Sequence, residues 1–291
     1  MMDFLTTEPD AFIACTLILG LLVGSFINVL VWRLPKMLAQ DWQSQARELL
    51  DLPAPAEGPV YNLMLPRSHC PACQHSLRAW ENIPLLSYLV LRGKCSSCKT
   101  AISLRYPLTE LCCAILSAFV AWHYGFGVQA GCMLLLTWGL LAICLIDIDH
   151  QIVPDSLVLP LLWLGLLLNS FSTFTTLEQA VWGAALGYAS LWSVFWVFKL
   201  ITGKEGMGYG DFKLLAMLGA WGGFTVLPLT ILLSSLLGAL VGLSLLAMRR
   251  ANTSTPIPFA PYLAIAGWIA LLWGGQITGL YWQISDRKSV V

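Results

Sequence analysis

Apolar residues in this chain come in runs long enough to cross a lipid bilayer, and that limits the possible folds more than any motif does. The hydrocarbon core of a bilayer requires about 20 consecutive, mainly apolar residues from a helix. Runs of this kind cover roughly 11–32, 106–124, 128–147, 152–171, 177–200 and 259–282, with 37 mostly apolar residues at 212–248. Only 11% of the 291 residues are charged, against about 25% in a soluble domain. A single helix of 37 residues would measure about 55 Å, far more than the hydrocarbon thickness. The run therefore divides into two spans, with a turn near Gly222, Gly223 and Pro228. The expected fold is an all-α polytopic membrane protein of about eight transmembrane helices.

The first run is too long for the apolar region of a signal peptide, and only acids precede it: Asp3, Glu8 and Asp10. It reads as a retained membrane helix. The one long polar stretch, 33–105, follows and holds Arg33, Lys36, Arg47, Arg67, Arg78, Arg92, Lys94, Lys99 and Arg105. Basic loops beside membrane helices favour the cytoplasm, so this stretch is expected there, with both termini outside. Arg249 and Arg250 return to the basic side in this scheme, whereas Arg287 and Lys288 fall on the other. The piece around Pro53, Pro55 and Pro59 reads as a loop or linker. The chain is thus expected to divide into a first helix (1–32), a cytoplasmic domain (33–105) and a membrane domain (106–291). A formal net charge of zero gives no pull toward nucleic acid; the expected partner surface is the lipid bilayer.

Nine cysteines fall into two classes. Cys15, Cys112, Cys113, Cys132 and Cys144 lie in apolar runs, where cysteine packs as a small hydrophobe. Cys70-Pro-Ala-Cys73 and Cys95-Ser-Ser-Cys98 stand 21 residues apart. Two such knuckles are the pattern of a tetrahedral four-thiolate zinc site; the competing reading is a pair of disulfides. A closed four-cysteine site leaves no ligand position open, which makes its role structural. Lys94, Lys99 and Arg78 would offset its charge, and His69 and His75 adjoin the first pair.

Carboxylates at membrane depth are costly and mark function by default. One group is Asp147, Asp149 and Asp155, with His150 and Pro154 between them; the other is Asp211, behind Gly206, Gly208 and Gly210. Two neighbouring acids that share one proton can activate water and protonate a scissile carbonyl, the chemistry of aspartic proteolysis. Acids that merely mark helix ends, or a cation or proton transporter built on the same four aspartates, are the alternatives.

Gly208-Tyr-Gly-Asp211 matches the GxGD signature of membrane-embedded aspartic peptidases. With the 147–155 segment and the double CxxC loop, nearly the whole chain resembles the bacterial prepilin peptidases, or type IV leader peptidases. The resemblance implies that Asp147 and Asp211 are the catalytic pair. It implies cleavage of the short basic leader of type IV prepilin and type II secretion pseudopilin precursors at the cytoplasmic face of the bacterial inner membrane. It further implies N-methylation of the new terminal residue with S-adenosylmethionine. Gly93 occupies a family position associated with methylation, and an ordinary turn glycine is its other reading. Glu110 is a possible contact for cofactor or amine, or else an interface residue. Trp80, in Trp80-Glu81-Asn82-Ile83-Pro84, is placed to rest at the headgroups. Pro258-Phe259-Ala260-Pro261 stands where the family usually has Pro-Phe-Gly-Pro.

Overall fold

A computed structural model describes residues 8–53, 61–248 and 257–289, with side chains as far as 279. Pro55, Pro59, Arg249 and Arg250 lie outside the described residues, as do the side chains of Arg287 and Lys288. The chain forms two compact units, Met1–Ala142 and Ile143–Val291.

In the first unit, helix α1 (Pro9–Leu49) begins with proline in its first turn and Asp10 beside it. Both suit a helix N-terminus, where N–H groups are unpaired and the dipole favours an acid. The helix does not stop at residue 32, where the polar stretch begins, but runs on to Leu49 through Pro35. The extension is rich in Arg, Lys, Leu, Ala, Gln and Glu, all strong helix formers, so the loss of apolar character ends the membrane segment without ending the helix. Helix α3 (Arg105–Tyr124) packs against α1. The contact is made at Gly20 and Gly24, where a Cβ would lie 2.7 Å from Ala114 Cα and Glu110 Cα. This is the small-residue spacing that lets membrane helices touch backbone to backbone.

Between α1 and α3 the described residues contain no strand, only the short helix α2 (Leu86–Val90) and a 3-10 turn at Ala79–Asn82. Arg33, counted above only as a topological charge, anchors this region. It is buried and donates to the carbonyls of Asn62 at 2.8 Å and Pro66 at 2.5 Å. Helix α4 (Val128–His150) follows the turn at Gly125 and contains the boundary between the units.

In the second unit, α5 (Asp155–Asn169), α6 (Leu177–Thr202) and α9 (Ala260–Ser289) pack around α7 (Tyr209–Gly222). Ten of the 14 residues of α7 are buried, including Phe212 and Trp221. A helix that is apolar all round belongs inside a bundle. Its approach to α6 depends on glycine at both positions: a Cβ on Gly183 would strike the Gly219 carbonyl, and the reverse. Asn169 closes the far end of α7, its amide donating to the carbonyls of Ala220 and Trp221 at 2.8 and 3.0 Å. The long apolar run breaks at Gly222–Gly223, and α8 (Leu227–Ala247) starts with Pro228 in its first turn. The expected turn is thus where the glycines and proline stand.

Among the described residues, eight helices of 14 residues or more stand where eight spans were expected. Five contain stretches long and apolar enough to cross a membrane: Pro9–Leu49, Val128–His150, Leu177–Thr202, Phe224–Ala247 and Ala260–Gly279. The count of eight crossings is therefore approximate: α3 lacks a stretch of that apolarity, and α5 and α7, with 15 and 14 residues, reach only about 21–23 Å.

The α6–α7 contact leads to a prediction. Gly219→Ala is expected to destabilise the protein by about 1–3 kcal/mol through overpacking. Gly127→Ala, with open space around it, is expected to stay within about 0.5 kcal/mol of the parent. Thermal unfolding of both variants in one detergent checks the difference.

Candidate functional site

Asp147 sits near the end of α4 and Asp211 in the first turn of α7; both are buried, at 5% and 6% exposure. Asp147 Oδ2 accepts a hydrogen bond from the Ala260 N–H at 3.2 Å. Ala260 opens α9, so the donor is one of the N–H groups that every helix start leaves without an intrahelical partner. Asp211 lies at the start of a helix whose dipole favours a carboxylate. Its Oδ2 lies against the backbone of Gly208, and the charge of Asp147 acts on it. The fold therefore brings the two carboxylates into electrostatic range from separate helices. A buried carboxyl pair of this kind is equipped for general acid–base hydrolysis.

The other two candidate acids are placed differently. Asp149 and Asp155 are exposed. Asp155 binds Lys213 Nζ through both oxygens, each at 2.7 Å, and so ties the start of α5 to the first turn of α7. Gly210 makes the same junction possible, since a Cβ there would meet Val153 Cβ at 2.5 Å. Phe195, Tyr209 and Phe212 pack around the start of α7 in tilted and edge-to-face contacts, with centroids 5.2–5.6 Å apart.

The four knuckle thiols of the first unit form one cluster, with every pair of sulfurs within 4.8 Å. Cys70 Sγ and Cys98 Sγ are 3.8 Å apart, and Cys73 Sγ and Cys95 Sγ 4.0 Å. Four sulfurs about 2.3 Å from a tetrahedral ion would be separated by about 3.8 Å, so the donor set fits a thiophilic metal. All four cysteines are free, which removes the disulfide reading. The knuckles repeat each other bond for bond. Cys70 N–H donates to the His75 carbonyl and Leu77 N–H to that of Ser68; Cys95 N–H donates to Thr100 and Ile102 N–H to Gly93. Gln74 and Lys99, each following the second cysteine of its knuckle, both have φ of 60°. Backbone N–H groups of Cys73 and Ala72 hold the Cys70 thiol below its ordinary value, and contacts with Thr100 bring Cys98 down to about 6. Low thiol values favour the thiolate that binds metal, whereas Cys73, pushed up to about 11 by burial and the neighbouring thiols, would give up its proton on binding. Glu81, buried beside the cluster, is held below the usual carboxylate range by the Arg78 N–H at 2.8 Å, helped by His75.

Residues 18–124 match the model of the bacterial peptidase A24 N-terminal domain, and residues 134–243 that of the type IV leader peptidase family. A prepilin leader peptidase/N-methyltransferase of Stutzerimonas stutzeri is 67% identical over 97% of this chain and 98% of its own length. Those of Pseudomonas aeruginosa and Xanthomonas campestris are 65% and 47% identical, each over 99% of this chain and at least 99% of their own. The chain belongs to the type IV leader peptidase family. No solved structure matches it.

The remaining expectations for a member of this family meet particular surroundings. Gly93 has φ +68°, and a Cβ would lie 2.7 Å from the Tyr88 hydroxyl, so local geometry already requires glycine there. Glu110 is buried and accepts from the Leu85 N–H at 2.9 Å. Trp80 is exposed. Ala260 is the functional atom that residue types alone did not reveal. It stands where the family's Pro-Phe-Gly-Pro has glycine, and its backbone N–H donates to Asp147.

A metal titration tests the thiol cluster. Chelated, reduced protein is expected to take up one Co2+ per chain with sulfur-to-metal charge-transfer absorption, and Cys95→Ser to lose that band.

Proposed function

We propose that this member of the family is itself a bifunctional enzyme. It removes the basic leader from type IV prepilins and type II secretion pseudopilins, then methylates the new N-terminal amine. The reading rests on near full-length identity of 67% to a prepilin leader peptidase/N-methyltransferase. The observation that supports the mechanism is the burial of both Asp147 and Asp211 within one unit, where the charge of one acts on the other.

In that mechanism one carboxylate takes a proton from water as the water oxygen attacks the scissile carbonyl. The other carboxyl donates its proton to the carbonyl oxygen. Collapse of the tetrahedral intermediate breaks the C–N bond, and a proton passes to the leaving amine. The Ala260 N–H orients Asp147 throughout. The start of α7 stabilises Asp211 whenever it is charged. Exposed Asp149 and the Lys213-bound Asp155 take no proton in this scheme.

Methylation draws on S-adenosylmethionine, whose sulfonium supplies a methyl group to the neutral amine with loss of one proton. Cys70, Cys73, Cys95 and Cys98 would hold Zn2+ in a closed structural site. Gly93 keeps the turn before Cys95 in its left-handed form and thereby supports that domain. The sites are assigned to the cytoplasmic face of the inner membrane, with 33–105 as the metal-binding region and 106–291 as the peptidase region.

Cleavage of a prepilin precursor in membrane vesicles tests the pair. Asp147→Asn and Asp211→Asn are each expected to lower the rate by about 10²–10⁴-fold, whereas Asp149→Asn stays near the parent. The mass of the parent's product should rise by one methylene group only when S-adenosylmethionine is added. Full cleavage by both folded Asn variants would overturn the assignment.

A further inference from the structure

The stretch between the two knuckles contains an apolar surface that a water-filled loop does not explain. Leu86, Leu89 and Val90 are exposed by 60%, 69% and 73%. Spaced i, i+3 and i+4 on α2, they share one face. The depth of this face follows from its attachments. The N–H of Leu85, the residue before α2, is held by Glu110 Oε2 at 2.9 Å. Glu110 lies directly against Gly24 of α1, where a Cβ would come 2.7 Å from Glu110 Cα. Asn28, one turn further along α1, donates to the Tyr106 carbonyl at 3.1 Å and confirms the register. The apolar part of α1 ends at Arg33, nine residues beyond Gly24, or about 13 Å along the helix. The start of α2 is therefore pinned at a level where α1 is apolar, and Leu108 of α3, 60% exposed, lies at that level too.

We infer that residues 79–92 are a re-entrant loop that dips into the lipid bilayer, with Leu86, Leu89 and Val90 against the acyl chains. The thiol cluster closes the base of this loop, since the chain leaves from Cys73 and returns at Cys95 to sulfurs 4.0 Å apart. Glu110 secures the tip. Irregular backbone at membrane depth must find its hydrogen bonds within the protein, and Leu85, standing just before α2, has an N–H that the helix itself cannot satisfy. A buried acid on a membrane helix supplies that acceptor, and this explains Glu110 without any cofactor. Arg92 and Lys94 follow α2 directly and are exposed, so their charges can meet lipid phosphates as the chain leaves the bilayer. The inference depends on the membrane architecture and not on the aspartate chemistry, so loss of cleavage activity would not bear on it.

The test places a photoreactive benzoylphenylalanine at Leu89, at Ile115 on the exposed side of α3, and at exposed Ser97 within the second knuckle. Full-length protein in phosphatidylethanolamine–phosphatidylglycerol nanodiscs is irradiated, and adduct masses are read. Phospholipid adducts are expected from positions 89 and 115 and not from 97. In the Glu110→Leu background the adduct at 89 should fall several-fold, while Glu110→Gln, which keeps an acceptor, should retain it. Lipid labelling at 115 without labelling at 89 would overturn the inference, as would equal labelling at 89 and 97. Unchanged labelling at 89 in Glu110→Leu would remove the role given to Glu110.

Discussion

The backbone contact between α6 and α7 at Gly183 and Gly219 is the interaction on which the second unit depends. Removing side chains there lets α7 lie largely inside the bundle, although it is too short to cross a bilayer alone. A helix so enclosed has its position set from several sides. Asn169 and Trp221 hold its far end, Val153 presses on Gly210, and Lys213 reaches Asp155. Asp211, in its first turn, inherits that rigidity. Side chains mounted on well-packed helices hold their geometry better than those on loops, and acid–base chemistry requires such precision.

A second constraint governs both units. Polar groups within a membrane protein must be satisfied internally, because lipid offers no hydrogen bonds. Asp147 meets the free N–H at the start of α9, and Ser117, buried on α3, bridges the Cys113 carbonyl and the Trp138 indole. The buried guanidinium of Arg33 meets two loop carbonyls, and Glu110 meets Leu85. No buried side-chain nitrogen or oxygen among the described residues lacks a partner. Arg33 and Glu110 thereby acquire definite structural tasks, and Asp147 and Asp211 stand apart as two buried acids of one unit.

The thiol cluster organises the polar region by other means. With no strand among its described residues and few buried apolar side chains, that region has little hydrophobic core of its own. Two knuckles with the same hydrogen bonds converge, and a bound metal would supply the folding free energy that a core otherwise provides. The same cluster closes the base of the loop that carries α2.

Much of this was legible in the string of residues because it depends on local chemistry. Apolar run length determines which segments enter a membrane, glycine and proline locate the break at 222–228, and paired CxxC motifs announce a four-thiol cluster. GxGD and the Asp147 segment single out two acids that are both buried. Features that depend on where segments meet were not legible. Helical propensity carried α1 past the polarity boundary at Arg33, and only packing shows that α7 is enclosed. Tertiary structure alone separates buried Asp147 from exposed Asp149, two residues away on the same helix. It alone brings the Ala260 N–H to a carboxylate, because a backbone donor carries no mark of its partner in residue type. Run length and motif are written along the chain, whereas burial and long-range hydrogen bonds belong to the surfaces that folding brings together.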